Sequence, residues 1–228
     1  MFKILFFILI LFIPHNAFSH MKHYKDIKMI NMDIVKDGKK IGFCNYSFFK
    51  EKNKIDVKNV TQFNVKLFGV EVFSIFSNSL EVYENDKLIL FESKTSQNRK
   101  EKYVNLVYSK ELNKYLIKGS SYVGEADIDN IVGNWWNHKL LTADKQISPL
   151  SGSVKDQVVT FLNKENLNLN GKNYIAHKFS LKSKDPKTPD NKKLDFIIWL
   201  EPQKNIILKV SYKKMGLWEY VLKDIIWN

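Results

Sequence analysis

The sequence predicts an all-β protein built on one strongly curved antiparallel sheet, or open barrel, of about 10–12 strands. Apolar residues recur with a period of two from residue 28 onward, which is typical of strands with one buried face. The runs are joined by short polar turns, so neighbouring strands are expected to be antiparallel. A single apolar face on so many strands must be buried by curling or closing the sheet.

The first half of the chain has the pattern of a meander of strands. Asp37-Gly38 predicts a tight hairpin turn between the first two strands. Further along, Leu80 and Val82 alternate with Glu81, and the chain then turns again. This spacing favours sequential antiparallel neighbours.

The alternation stops between Gly124 and Gly152, in the middle of the chain. Residues 133–141 read Gly-Asn-Trp-Trp-Asn-His-Lys-Leu-Leu and match neither a strand period nor a helix face. We expect a Trp-rich irregular loop here, with one short helical turn. Strands resume at residue 154, and Ile206, Leu208 and Val210 again share one face.

The N-terminus predicts a cleavable secretory signal peptide over residues 1–19. Lys3 precedes an unbroken apolar run over residues 4–13, and Ala17-Phe18-Ser19 fits a small-x-small cleavage site. The run would span roughly 15 Å as a helix, about half of a hydrocarbon core. We therefore expect no integral membrane segment after cleavage. Residues 20–228 then form a single β-rich domain, exported to the periplasm of a Gram-negative bacterium.

The chain is strongly basic, with a formal net charge of +12. Arg99 is its only arginine, and the lysines are spread along the chain. Because base-edge recognition depends on the arginine fork, we expect no nucleic-acid partner. Two explanations of the charge stay open, an anionic envelope surface as partner and an A+T-rich coding sequence. The single Cys44 excludes an intramolecular disulfide and is interpreted as a small buried residue.

The Trp-rich loop is the candidate ligand-binding site. Flat rings suit an apolar tail, while amide and imidazole groups suit a polar head. The alternative is a tryptophan plug that seals one end of the barrel. The candidate ligand-binding residues are Asn134, Trp135, Trp136, Asn137, His138 and, from a later strand, Trp199.

No motif specifies a reaction, so catalytic residues are unknown at this point. An enzymatic alternative is a hydrolase-type enzyme acting on an envelope polymer or lipid, with His138 as general base and Asp127, Asp129 or Glu201 as acid partners. His20 and His23 suggest copper, but the histidines lack a metal-binding spacing. We expect no metal site and no cofactor.

Four features in order resemble an exported bacterial family of unknown function, domain-of-unknown-function family 6134. They are residues 37–42 (Asp-Gly-Lys-Lys-Ile-Gly), residues 134–137 (Asn-Trp-Trp-Asn), residues 151–154 (Ser-Gly-Ser-Val) and the hairpin over residues 195–212. The likeness covers nearly all of residues 20–228. The family hairpin carries Trp-Tyr-Asp, whereas this chain has Trp199-Leu200-Glu201, so the tyrosine is replaced. The resemblance implies a β-rich envelope protein without an established activity.

The function that we expect from the sequence is a binding or scaffold protein of the envelope, for a lipid or another apolar ligand. Its motivation is an aromatic-rich β face beside a basic surface. By analogy of fold, such a protein is similar to curved-sheet carriers that shield lipid chains in the periplasm. The alternatives are the hydrolase-type enzyme and a structural module that pairs a strand edge with another protein.

Overall fold

A computed structural model describes residues 20–190 and 192–228, so the predicted signal peptide lies outside the described residues. The described chain forms 15 strands and two short 3-10 helices, His20–Tyr24 and His138–Leu141. No helix in these two ranges is long and apolar enough to cross a membrane. The strands are β1 Ile27–Lys36, β2 Lys39–Glu51, β3 Lys54–Leu67, β4 Val70–Glu84, β5 Lys87–Gln97, β6 Lys100–Ser109, β7 Lys114–Gly119, β8 Val123–Asp127, β9 Ile131–Val132, β10 Lys145–Ile147, β11 Val154–Leu169, β12 Lys172–Ser183, β13 Asp195–Glu201, β14 Ile206–Lys213 and β15 Leu217–Trp227.

All 15 strands belong to one sheet whose order is β8-β7-β6-β5-β4-β3-β2-β1-β15-β14-β13-β12-β11-β10-β9. Every pair is antiparallel except β9 and β10. The two edge strands, β8 and β9, are consecutive in the chain, and the backbone N–H of Asn130 donates to Asp127 O across the turn between them. The sheet therefore curls round until its edges approach, but within the described residues no ladder closes it.

The turn between β10 and β11 packs against β5 and β7, across the gap between the two edges of the sheet, which we call the seam. Ser93 Oγ of β5 donates to Pro149 O at 2.6 Å, and the Ser121 N–H donates to Ser151 O at 3.2 Å. Gly119 of β7 lies against the same turn, because a Cβ there would be 2.5 Å from Ser151 O. A polar cleft of about 390 Å³ separates β7 and β8 from β10 and β11.

The predicted fold class is confirmed: the protein is all-β, with a large curved sheet and an irregular Trp loop that contains a helical turn. The strand count exceeds the expected 10–12, because β8, β9 and β10 lie inside the interrupted region. They are short, with burial patterns too brief to show a period of two.

The turn residues behave as their conformational preferences require. At the β1–β2 turn Asp37 and Gly38 have φ values of 49° and 78°, and at the β11–β12 turn Asn170 and Gly171 have 51° and 78°. Positive φ at both central positions is the requirement of a type I′ hairpin turn, which Asn, Asp and Gly meet most easily. These turns fix the register of the long hairpins.

The inner face of the sheet is largely apolar. Phe91, Leu106, Ile34 and Leu181 are all fully buried there, and Cys44 is buried as predicted. Desolvation raises the pKa of the Cys44 thiol, which therefore stays protonated and unreactive. The inner surface nevertheless includes one fully buried acid, Glu81 of β4.

Replacing Gly119 with alanine should destabilise the protein because the new Cβ meets the backbone of the β10–β11 turn. We expect a loss of about 1–3 kcal/mol in the free energy of unfolding, measured by urea titration. Lys118→Ala, on the exposed face of the same strand, should change it by less than about 0.5 kcal/mol. Equal stabilities of the two variants would show that the seam is not packed as described.

Candidate functional site

The Trp-rich loop folds into the interior of the barrel, where it closes one end. Trp136 is 1% exposed. Its ring makes edge-to-face contacts with Tyr24, Phe48 and Tyr83, at centroid distances of 4.9, 5.5 and 5.7 Å. Such contacts stabilise the buried ring beyond the effect of the apolar area that it buries. Trp136 thus has the environment of a plug.

The carboxyl group of Glu81 anchors this plug. Its Oε1 accepts hydrogen bonds from Trp136 Nε1 and Asn134 Nδ2, both at 2.7 Å. Its Oε2 accepts from the Tyr83 hydroxyl, also at 2.7 Å. Burial raises the pKa of Glu81, and the three donors oppose that shift because they favour the ionised form.

Glu81 was missing from the candidate residues because Leu80 and Val82 beside it resemble the apolar face of a strand. In the structure the odd-numbered residues of β4 face the interior: Ile75 and Ser77 are buried, and Glu81 lies on the same face. The sequence signal was present, since the parity of Ile75 leads directly to Glu81. It was obscured by two serines of the same parity, Ser77 and Ser79, which stand between them.

Asn137 and His138 fix the C-terminal end of the loop through hydrogen bonds. The Asn137 side chain accepts from the Lys139 N–H at 3.1 Å and so caps the 3-10 helix. His138 Nδ1 lies 2.8 Å from the hydroxyl of Tyr24, which also donates to Trp136 O at 2.8 Å. Burial, with smaller contributions from His23 and Lys139, lowers the pKa of His138 to about 4.

This arrangement gives little support to His138 as a general base. An imidazole with a pKa near 4 is neutral at pH 7 and a weak proton acceptor. The Glu201 carboxylate accepts from the backbone N–H groups of Gln203 and Lys204 in its own turn. Among the residues that the structure describes, no three His, Cys, Asp or Glu side chains are grouped as a metal site would require.

Trp135 points away from Trp136 and begins an arc of six aromatic rings, which we call the aromatic arc. Consecutive rings lie 5.1, 5.4, 5.9, 5.5 and 5.8 Å apart between centroids. Four of them are only partly buried, namely Trp135, Phe196, Tyr212 and Phe73. In order the arc consists of Trp135, Phe196, Tyr212, Trp218, Phe63 and Phe73.

Trp199 does not join the other five candidate residues. Ile198 and Leu200 on either side of it belong to the cluster that packs under the Trp loop, so Trp199 points to the opposite face of β13. There Lys178 and Lys209 lie over its ring, with Nζ atoms 5.1 and 5.0 Å from the centroid. Residues 196–200 are all apolar, so their pattern does not distinguish which face of the strand this tryptophan occupies.

Glu81→Gln should keep all three hydrogen bonds, because an amide oxygen can accept from Trp136 and Asn134 while its NH₂ donates to Tyr83. Wild-type stability should fall as pH rises from the ordinary glutamate pKa through the raised one, since the folded state holds the proton more tightly. The advantage of Glu81→Gln should therefore grow over that interval. Urea titrations at several pH values measure it, and parallel curves for the two proteins would contradict the assignment.

Glu81→Leu is the matched test of the anchoring role. It removes the acceptor that Trp136 and Asn134 share, so we expect a loss on the order of 3 kcal/mol below the ordinary glutamate pKa, and a smaller loss at higher pH because the wild type itself becomes less stable there. The same titrations give this value.

Comparison with known proteins places the chain in a family. It is similar in fold to a beta-barrel-like protein of the domain-of-unknown-function family DUF1849 from Brucella abortus, known from its crystal structure. The TM-score is 0.61 at 11% sequence identity, over 89% of this chain and 98% of that one. No curated protein matches the sequence. A family model described as domain of unknown function DUF6134 matches residues 32–223, and the chain therefore belongs to the DUF6134 family.

Proposed function

We propose that the protein is an envelope binding protein that holds the apolar part of an anionic amphiphile against the aromatic arc. The observation that carries this proposal is the aromatic arc, with four partly buried rings on the inner surface. Rings that only partly bury one another keep apolar area for a ligand, and ligand sites are mostly lined in this way. The plugged end confines such a ligand to the other end.

Lysines surround the arc where it reaches the end of the barrel. The Lys36 ammonium lies 5.6 Å from the centre of the Trp218 ring, and Trp218 Nε1 donates to Lys214 O at 2.8 Å. Lys155 Nζ donates to Lys192 O at 2.9 Å. Desolvation lowers the pKa of Lys155, and the charges of Lys214 and Lys192 lower it further. An anionic head group here would relieve this mutual repulsion.

The candidate residues then have different roles. Trp135 contacts the ligand, because its ring faces the arc. Trp136, Asn134 and Asn137 position the loop, because all three are buried. His138 fixes the loop exit through Tyr24.

The proposed location is the periplasm. It is supported by the charged N-terminal residue, the apolar run and the small-x-small tripeptide over residues 1–19. Amphiphiles with anionic head groups are abundant at envelope membranes, which supply both the ligand and the surface.

Titration with cis-parinaric acid, a fluorescent fatty acid, tests the proposal. Trp135→Ala should weaken its binding by on the order of tenfold, because the ring loses its contact area. Lys155→Gln should weaken binding of the acid severalfold while leaving its neutral methyl ester unaffected. Fluorescence gives the dissociation constant in each case.

Trp227→Ala is the control, since Trp227 is 44% exposed at the far end of β15 and should not alter binding. Unchanged affinity in Trp135→Ala would remove the arc from the site. Equal binding of acid and ester in the wild type would exclude from the site the lysines around the arc, which we call the lysine rim: Lys36, Lys155, Lys192 and Lys214. If the wild type binds neither probe, the alternative of an interaction module that uses the unpaired edge of β8 becomes the better account.

A further inference from the structure

The β3–β4 hairpin extends beyond the rest of the sheet. The last partner of β3 in β2 is Phe63, opposite Gly42, and the last partner of β4 in β5 is Ile75, opposite Gln97. Residues 65–73, which we call the arm, therefore pair only with each other. Phe68 at the tip comes five positions after Phe63, so the arm projects by roughly 17 Å.

The end of the arm is apolar and exposed to solvent. Phe68 is 97% exposed, and its neighbours Leu67, Val70 and Val72 are 56%, 66% and 51% exposed. Phe68 also has a φ of 50°, a conformation that Asn, Asp or Gly adopts more easily than an aromatic residue. A turn selected only for folding would favour those residues, so a bulky ring here needs another explanation.

Basic residues surround the arm. The turns on its two sides, residues 36–40 and 98–101, carry five basic residues against two acidic ones: Lys36, Lys39, Lys40, Arg99 and Lys100 against Asp37 and Glu101. On the arm itself Lys66 and Glu71 balance each other.

The β14–β15 turn lies beside the first of these turns, because the Asp37 N–H donates to Leu217 O at 2.8 Å and Asp37 Oδ1 accepts from Leu217 N at 2.7 Å. It adds Lys213, Lys214 and the 93% exposed side chain of Met215. The exposed apolar side chains of Phe68 and Met215 thus lie beside basic turns. This combination matches the chemistry of an anionic lipid bilayer, whose head groups attract lysine while its acyl region receives apolar side chains.

We infer that the arm inserts into the surface of an anionic lipid bilayer, with Phe68 as its principal apolar contact. The basic turns on either side lie against the lipid head groups. Trp218 and the lysine rim lie at the same end of the barrel as the arm, so insertion would hold this end of the barrel against the membrane. The inference does not depend on whether the barrel holds a ligand.

A site-specific dye on the complete chain tests this inference. Phe68→Cys is labelled with an environment-sensitive nitrobenzoxadiazole dye, and Ile175→Cys, which is 66% exposed on β12, is labelled as the matched control. Cys44 is 2% exposed and its thiol pKa is raised, so it should not react. The local signal separates insertion of the arm from any contact that residues 1–19 make with lipid.

With vesicles of phosphatidylcholine containing phosphatidylglycerol, emission from the dye at position 68 should rise several-fold and shift to the blue, and the dye at 175 should not respond. Vesicles of phosphatidylcholine alone should give a much smaller change at 68, as should K39Q/R99Q/K100Q on anionic vesicles. Phe68→Ser, unlabelled, should displace the labelled protein from vesicles on the order of tenfold less well than the wild type.

The inference would be overturned by equal emission changes at positions 68 and 175. It would also be overturned by an emission change at 68 that is the same with and without phosphatidylglycerol. A change at 68 without vesicles that grows with protein concentration would also overturn it, because a second copy of the chain would then cover the arm. Circular dichroism of each variant verifies the fold, and unchanged cis-parinaric acid binding would separate failure here from failure of the proposed ligand site.

Discussion

The hydrogen bonds to the buried Glu81 carboxyl are the interaction on which the interior of the protein depends. A curved sheet with one apolar face leaves a space that its own side chains must fill, and here the Trp136 ring fills one end of it. Glu81 fixes that ring and Asn134 in position through two hydrogen bonds of 2.7 Å. A buried acid is costly unless its partners are all in place, so the plug and the strand that carries Glu81 constrain each other.

This constraint gives the barrel two different ends. At the plugged end, Trp136 and Tyr24 pack tightly and His138 is bonded to Tyr24. At the other end, Trp135 starts the aromatic arc, several of whose rings are partly buried and lie beside lysines. Two adjacent tryptophans thus lie in different environments, at the centre of a turn in which the Asn137 N–H donates to Asn134 O at 3.3 Å.

The sequence was sufficient for the fold class and for most turns, because both depend on local patterns. Asp37-Gly38 predicts a hairpin through the preference of these residues for positive φ, and the period of two predicts the strands. The sequence was insufficient where a position depends on distant parts of the chain. That Glu81 binds Trp136 depends on the Trp loop lying beside β4, and the face of β13 that Trp199 occupies depends on how that strand packs.

Native mass spectrometry of the protein, purified gently from its own cells, would show whether the barrel holds an anionic amphiphile as proposed. Lipid analysis of the released material would identify the ligand. We expect a reproducible adduct whose mass matches an anionic lipid or fatty acid and which Trp135→Ala reduces. A protein that is always found at the mass of its own polypeptide chain, in wild type and variant alike, would contradict this proposal.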